Sequence, residues 1–420
     1  MNILVFSNAI SPYHGSEYAV GWNYVINMSK RHKLYVLYGG NKDNIEKYLI
    51  TSKLENVTFI YAGNHQSSVN WNRHPLLSQI QVIRAHKLWH KKVLKIAYDI
   101  IKKYNIDIIH FLNPIGFKEP GYLWKLDKPY IWGPLQGVEN FPICLYPILD
   151  KRGLLEAIAR LFILNYKFFF SPRICKAFKR ADLLVAATPK TKYDLKKFYN
   201  KDCVYLPENA IIDIETEKPI FYRKGECLNI ISVGALCDRK AFILQLKTAE
   251  CLLKKGYCNF KWTIVGSGYK ENELKFYTNT HGLDRNVFFT GLLDRSEVQS
   301  LFKKAHLNVI SSLSEATTTV LWESMSKGIP TMSLNHCGMS GVLSNEDSFL
   351  IKVRNASKVI EDMSKVISEI MEKPSQIEEK SKNTILTAQK NTWEKRIDII
   401  EELYRTAIKN YSIRKNHHLK

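Results

Sequence analysis

A chain of 420 residues has room for two or three domains. Its 45% hydrophobic content fits a globular fold, and no stretch approaches the roughly 20 uninterrupted apolar residues of a membrane span. The net charge of +21 calls for an anionic partner, either phosphorylated small molecules, acidic lipid or nucleic acid, and no zinc-finger or RNP-type signature supports the last.

The first residues, Met1-Asn-Ile-Leu-Val-Phe6, carry no basic leader and too short an apolar core for a signal peptide. They read as a first strand, with the chain expected in the cytoplasm. Short apolar segments recur at 3–7, 33–38, 57–61, 106–112, 130–133, 182–187 and 203–206, most of them separated by longer amphipathic stretches. Such alternation predicts a parallel sheet covered on both faces. Segments 84–95 and 173–180 interleave bases with apolar and aromatic side chains. That pattern suits a membrane surface, and equally a solvated helix face. The strongest apolar run, 161–170, is short and broken by Lys167.

After Pro207 the texture turns polar and irregular through 208–225, as in a linker. A second series follows at 228–233, 261–265, 287–290, 307–311 and 330–333, with helical patterns at 241–255 and 296–304. The final segment, 392–411, reads as a long amphipathic helix with a frayed basic tail at 414–420. The expectation is two Rossmann-like domains, 1–207 and 208–390, with a terminal helix (391–416) packing back on the first. Eight cysteines are scattered without a CxxC pair, so neither a zinc site nor a redox dithiol is expected.

The most informative stretch is Ser314-Glu315-Ala-Thr317-Thr318-Thr319-Val-Leu-Trp-Glu323-Ser-Met-Ser-Lys-Gly328-Ile-Pro330. It follows a buried-strand pattern and precedes helix stop signals at Gly328 and Pro330. Glu315 then falls in the loop at a strand's carboxyl end, where open α/β sheets bind ligands, and Glu323 on the next helix. Carboxylates accept hydrogen bonds in pairs, so this pair suits sugar hydroxyls. A helix with one solvated Glu and one dipole partner gives the same spacing.

Four further clusters end other strands. Gly15-Ser16-Glu17 opens a helix, as an anion site or an ordinary N-cap would. Gly234, followed by Arg239-Lys240, places two cations where a diphosphate or a solvated turn would fit. Gly266-Ser-Gly268 permits close approach of a nucleotide or of a neighbouring helix. His110, ending a strong apolar strand, suits a hydroxyl or phosphate, or a satisfied core position.

In this order and spacing the clusters resemble the retaining glycosyltransferases of family 4, of the GT-B fold: α/β, with two facing Rossmann-like domains. The family's Glu-x7-Glu motif is matched by Glu315 and Glu323, and its glycine with a lysine six positions on by Gly234 and Lys240. Phe289-Thr-Gly291 with Glu297, His336-Cys-Gly-Met-Ser340, Trp132-Gly-Pro134 with Gly137, and Pro207-Glu-Asn209 also look like family segments.

The resemblance implies a nucleotide diphosphate sugar in the second domain, with uridine diphosphate sugars favoured and guanosine diphosphate sugars next. Glu323 would hold the ribose, Glu315 the transferred sugar, and Lys240 with Arg239 the departing diphosphate. Amides around Thr317, Thr318 and Thr319 would take the distal phosphate. His110 and the loop of Gly15, Ser16 and Glu17 would complete the site from the first domain, with Glu139 in its acceptor loops. No metal or other cofactor is implied. The acceptor would be a saccharide or lipid-linked saccharide of a surface polysaccharide, such as lipopolysaccharide or capsule, at the inner face of the cell membrane.

Three positions depart from the family pattern. Ala235 stands where Arg is usual, Gln136 where a second glycine is frequent, and Gly341 where an acidic residue is common. Arg239 is the candidate to supply the charge missing at 235. A nucleotide-sugar epimerase and a non-catalytic nucleotide-sugar-binding subunit are the other readings. Acceptor choice is expected in the loops 64–75 and 141–166.

Overall fold

The computed structural model describes residues 1–64 and 75–418, without the side chains of 75–83 and 417–418. Most of the candidate acceptor loop 64–75 therefore lies outside the described residues. The chain divides into two compact units. One comprises Met1–Val138, Asn165–Asn209 and Trp393–Lys420, the other Glu139–Leu164 and Ala210–Thr392.

The first unit is built on seven strands: β1 (Asn2–Ser7), β2 (Lys33–Tyr38), β3 (Val57–Tyr61), β4 (Ile108–Asn113), β5 (Tyr130–Leu135), β6 (Leu183–Ala186) and β7 (Cys203–Tyr205). They are parallel and lie in the order β3-β2-β1-β4-β5-β6-β7. In the register, Ile3 faces Leu34 on one side and Ile108 on the other. The order reverses between β1 and β4, and the crevice beyond the carboxyl ends at such a reversal is where these sheets bind ligands. Every residue of β4 and β5 is buried, because helices cover both faces.

The helix Trp393–His418 packs on the helix Glu17–Met28 and on β5 and β6, with Tyr404 fully buried. Its basic end is tied down: Arg414 Nε donates to Asp182 Oδ1 at 2.8 Å, and Lys415 Nζ lies 2.8 Å from Asp127 Oδ2. The tail expected to fray instead continues the helix through 418, because both cations find carboxylates on this unit.

The second unit has β8 (Leu228–Val233), β9 (Phe260–Val265), β10 (Val287–Gly291), β11 (Leu307–Ile310), β12 (Thr331–Leu334) and β13 (Ser348–Ile351), parallel in the order β10-β9-β8-β11-β12-β13. The sequence reading omits β13, a four-residue edge strand between Asp347 and Lys352 that is too short to show a period. Leu228, Ile230, Trp262, Leu307 and Val309 anchor the core. Trp262 Nε1 donates to Ser232 Oγ at 3.0 Å, so the indole is buried without losing its hydrogen bond.

Phe141, Leu145 and Ala157 belong to this same core. Residues 139–164 are thus part of the second unit, whereas a boundary at 207 assigns them to the first. Burying a side chain such as Phe141 or Leu145 contributes roughly 1.5–3 kcal/mol, enough to fix the segment there. Among the described residues, no helix is long and apolar enough to cross a membrane.

Candidate active site

The loops after β8, β9 and β10 are laced together by backbone hydrogen bonds. Gly234 N donates to Val265 O at 2.9 Å, Leu236 N to Ser267 O at 2.9 Å, and Gly266 N to Gly291 O at 2.9 Å. A Cβ on Gly266 would lie 2.1 Å from Gly234 O, and one on Gly268 2.3 Å from Leu236 O. Both glycines therefore serve the contact between neighbouring loops. Close packing is thus what these two glycines permit in this structure, beside the donor-binding role expected of them. At Gly234 the near neighbour is Lys240 itself, whose Cε would sit 3.4 Å from an added Cβ.

Arg239 and Lys240 occupy a single 3-10 turn, Asp238–Lys240, which ends at Ala241 in a left-handed conformation (φ 48). The turn is held to the end of β11. Ser311 Oγ donates to Lys240 O at 2.8 Å, Gln245 Nε2 donates to Ser311 Oγ at 2.9 Å, and Leu313 N donates to Arg239 O at 2.8 Å. Lys240 Nζ lies 2.5 Å from Glu315 Oε1, and Arg239 pairs with the same oxygen. Arg239 Nη1 also donates to Ser314 O at 3.2 Å. Two cations share one carboxylate, so the cluster keeps an excess positive charge with donors suited to phosphate oxygens.

Glu323 lies on the helix Thr319–Met325, whose opposite face buries Leu321, Trp322 and Met325 in a small core. Burial holds the Glu323 carboxyl above its ordinary range, opposed in part by Arg295 and Lys327. Arg295 Nη2 lies 3.8 Å away. Thr317 Oγ1 accepts from Trp322 Nε1 at 3.1 Å, which ties the segment before the helix to its first turn. The loop of Gly338 backs Glu315: Gly338 N donates to Glu315 O at 3.3 Å, and a Cβ at Gly338 would lie 1.2 Å from Ala316 O.

A third cation, not singled out by the sequence, stands beside this cluster. Arg160 Nη2 donates to Ser314 Oγ at 2.9 Å and to Glu139 O at 3.2 Å, while Ser314 Oγ donates to Glu139 O at 2.9 Å. Burial, and then repulsion from Arg239, lower the Arg160 pKa. Nothing local marked it in the sequence: it lies in the expected acceptor loop 141–166, 154 residues from Ser314 and 21 from Glu139. Glu139, expected in an acceptor loop of the first domain, is a buried residue of the second unit whose carbonyl organises Arg160 and Ser314.

The first unit's candidates differ in kind. His110 is only 4% exposed. Its Nε2 lies 2.7 Å from Gly133 O, which can only accept, so that nitrogen carries the proton. Its Nδ1 then accepts from Tyr404 OH (2.8 Å) or Tyr24 OH (3.1 Å). Burial lowers its pKa to about 4. A histidine so enclosed fits the satisfied core position that the sequence left open, bonded to β5 through Gly133. Glu17 Oε1 accepts from Ile115 N at 2.5 Å and pins the start of its helix to the loop after β4. Ser16 is exposed at φ 57, and a side chain at Gly15 would meet open space. Among the described residues, no three His, Cys, Asp or Glu side chains gather as a metal site.

Residues 213–384 match the family Glycosyl transferases group 1, a segment lying wholly in the second unit. Over 127 residues the chain is 27% identical to the amylovoran biosynthesis glycosyltransferase AmsK of Erwinia amylovora, covering 29% of this chain and 31% of AmsK. Over 364 residues it is 21% identical to protein CapJ of Staphylococcus aureus, covering 85% and 84%. The chain thus spans under a third of AmsK and most of CapJ. The structure of sucrose-phosphate synthase from Thermosynechococcus elongatus is similar with a TM-score of 0.66 at 13% identity, over 96% of this chain and 98% of that one. That likeness concerns the fold alone, which is GT-B: two Rossmann-like units with parallel sheets. The matched segment and the fold together support the GT-B superfamily.

Proposed function

We propose that the chain is a glycosyltransferase that moves a sugar from a nucleotide diphosphate sugar to a saccharide or lipid-linked saccharide acceptor. The observation that carries this is the carboxylate of Glu315 set against Lys240 and Arg239 at the carboxyl edge of β8 and β11. The group 1 match over the same unit supports it, and AmsK supports a role in building a glycan.

In this reading a diphosphate takes the place of Glu315 before Lys240 and Arg239. Glu323 holds the ribose hydroxyls, Glu315 turns to the transferred sugar, and the segment Thr317–Thr319 lies toward the distal phosphate. The bond from the anomeric carbon to phosphate oxygen breaks while the acceptor oxygen bonds the same carbon on the same face, so configuration is retained. The acceptor's hydroxyl proton leaves on the diphosphate. Positive charge builds on the sugar and negative charge on the leaving group, and fixed cations at that group lower the barrier. Uridine diphosphate is the favoured donor base and guanosine diphosphate the next.

The test is transfer of label from a panel of radioactive nucleotide sugars to membrane extracts, beside a thermal-shift panel of free nucleotides. A rise in melting temperature with one nucleotide, and label in acceptor, is expected. Interconversion of the donor sugar without acceptor would replace this reading with an epimerase. A nucleotide-induced shift with no transfer to any acceptor would replace it with a binding subunit.

A further inference from the structure

Three cations gather around Ser314 and Glu315 in the second unit, and the transferase reading uses two of them, Lys240 and Arg239. Arg160 is the third. Its bonds go only to uncharged acceptors: Nε and Nη2 donate to Glu139 O at 3.4 and 3.2 Å, and Nη2 donates to Ser314 Oγ at 2.9 Å. Among the described residues, its Nη1 makes no hydrogen bond and no carboxylate comes within ion-pair distance of the guanidinium. Glu156 and Glu139 attract it only from farther off. The side chain is half-buried, and Nη1 keeps contact with solvent. Arg239 grips the same serine from another side, its Nη1 donating to Ser314 O at 3.2 Å, and the two guanidiniums repel each other. A half-buried cation crowded by a second cation and given no anion is costly, and uncompensated charge of this kind gathers at functional sites. An oxyanion meeting both forks relieves the repulsion.

The place of Arg160 is fixed without a ligand. The ring of Phe141, part of the second unit's core, lies 5.6 Å from its guanidinium. The start of its helix, Lys151–Phe170, is tied through Lys270 to the turn that carries Arg239 and Lys240. Lys270, 7% exposed, pairs with Asp150 just before that helix, with Glu273 Oε2 at 2.7 Å and with Asp238 Oδ1 at 3.4 Å. Asp238 opens the turn, and Tyr269 OH donates to its Oδ2 at 2.9 Å. Gly153, in the first turn of the helix, lies so near that an added Cβ would stand 2.6 Å from Asp238 Cγ. One buried cluster thus sets both guanidiniums, which converge on Ser314 in advance of any substrate, as electrostatic preorganisation requires. A clasp that only held Ser314 would need neither the second guanidinium nor the open Nη1.

We propose that Arg160 is a third donor-binding cation, giving Nη1 to an oxygen of the sugar-bearing phosphate beside Arg239 and Lys240. That phosphate is the one closest to Glu315 when Glu315 faces the transferred sugar, and Ser314 adjoins Glu315. The inference rests on the transferase reading and deepens it: part of the expected acceptor loop 141–166 then serves the donor.

The experiment is calorimetric titration of the full chain with uridine and guanosine diphosphates and with the matching monophosphates, in the wild type, Arg160→Gln, Arg160→Lys and Lys240→Gln. The diphosphate that the wild type binds should bind Arg160→Gln about tenfold or more weakly, the loss expected for one hydrogen bond to a charged group. The matching monophosphate, which lacks the sugar-bearing phosphate, should bind both alike. Arg160→Lys should recover part of the diphosphate affinity, because it restores the charge without the fork. Equal loss for diphosphate and monophosphate would make Arg160 a structural clasp on Ser314 and overturn the proposal. So would diphosphate binding unchanged in Arg160→Gln but weakened in Lys240→Gln, an outcome that leaves the transferase reading standing. If Arg160→Gln then raises the KM of a phosphate-bearing acceptor, the anion belongs to the acceptor instead. A wild type that binds neither diphosphate would overturn the reading and the proposal together. Melting curves of each variant without ligand separate loss of binding from loss of fold.

Discussion

Lys240 Nζ and Glu315 Oε1 meet at 2.5 Å across the turns that follow β8 and β11, with only 11% and 13% of their side chains exposed. Neither residue is near the other in sequence. Ser311 and Gln245 hold the backbone of Lys240 in place, and in the proposed reading its ammonium faces the diphosphate once Glu315 turns to the sugar. Preorganised charge of this kind acts in the transition state more than in binding. Lys240→Gln is therefore expected to lower kcat by about 10²–10³, with a smaller change in KM. Steady-state kinetics with the identified donor would check it, and a change confined to KM would remove Lys240 from the leaving-group role.

Arg239 shares the Glu315 oxygen, and the proposed reading gives it the charge missing at position 235. Arg239→Ala should cost activity, and the double variant with Lys240→Gln should cost less than the product of the two single effects, because both act on one diphosphate. Full turnover in Arg239→Ala would exclude that substitution of roles.

Glu323 is held above the ordinary carboxylate range by burial. The folded form then binds the proton more tightly than the unfolded chain, so its ionisation costs stability as pH rises from the ordinary carboxylate range through the raised pKa. Glu323→Gln removes that cost and also removes an acceptor for ribose hydroxyls. The expected outcome is a higher melting temperature at neutral pH, a difference that closes in acid, together with weaker nucleotide-induced stabilisation. Unchanged nucleotide stabilisation would release Glu323 from the ribose role.

The alternation of strands and helices was legible because buried parallel strands are short continuous apolar runs. The Glu315–Glu323 spacing was legible because one loop and one helix carry it. What depends on chain folding at long range was hidden. Phe141 and Leu145 read as loop residues until the second unit's core surrounds them. Arg160 has no local pattern that names Ser314 as its partner. At His110 a ligand role and a satisfied core position were equally compatible with the sequence, and only the helix carrying Tyr404, almost 300 residues later, shows it enclosed. Gly266 and Gly268 have the spacing of a nucleotide loop, yet the atom that demands their missing side chains is a neighbouring carbonyl.

His110 makes a pH prediction of the opposite sign to Glu323. Its pKa is about 4 in the folded protein, against 6.5 for an exposed imidazole. Above pH 6.5 both folded and unfolded forms are neutral there. As pH falls below 6.5 the unfolded chain takes up a proton and the folded protein does not, so stability is lost down to pH 4. The full effect is about 3 kcal/mol. His110→Gln can still donate to Gly133 O and accept from a tyrosine, but does not titrate. Denaturant unfolding at stepped pH should show wild type losing stability relative to the variant between pH 6.5 and pH 4. A constant difference would mean that the imidazole protonates in place.

Two glycines should answer oppositely to the same change. At Gly266 a methyl group meets Gly234 O at 2.1 Å, and its φ of 131 strains any L side chain. Backbone must move on both loops, and the loop that moves carries Arg239 and Lys240. Gly266→Ala is expected to lower stability by about 1–3 kcal/mol and to impair nucleotide binding with it. At Gly15 the same methyl group meets open space. Gly15→Ala should leave the melting temperature unchanged, so any loss of turnover there would report a ligand passing close to the start of the helix Glu17–Met28. If Gly266→Ala binds nucleotide as the wild type does, the turn of Arg239 and Lys240 is not positioned through that contact.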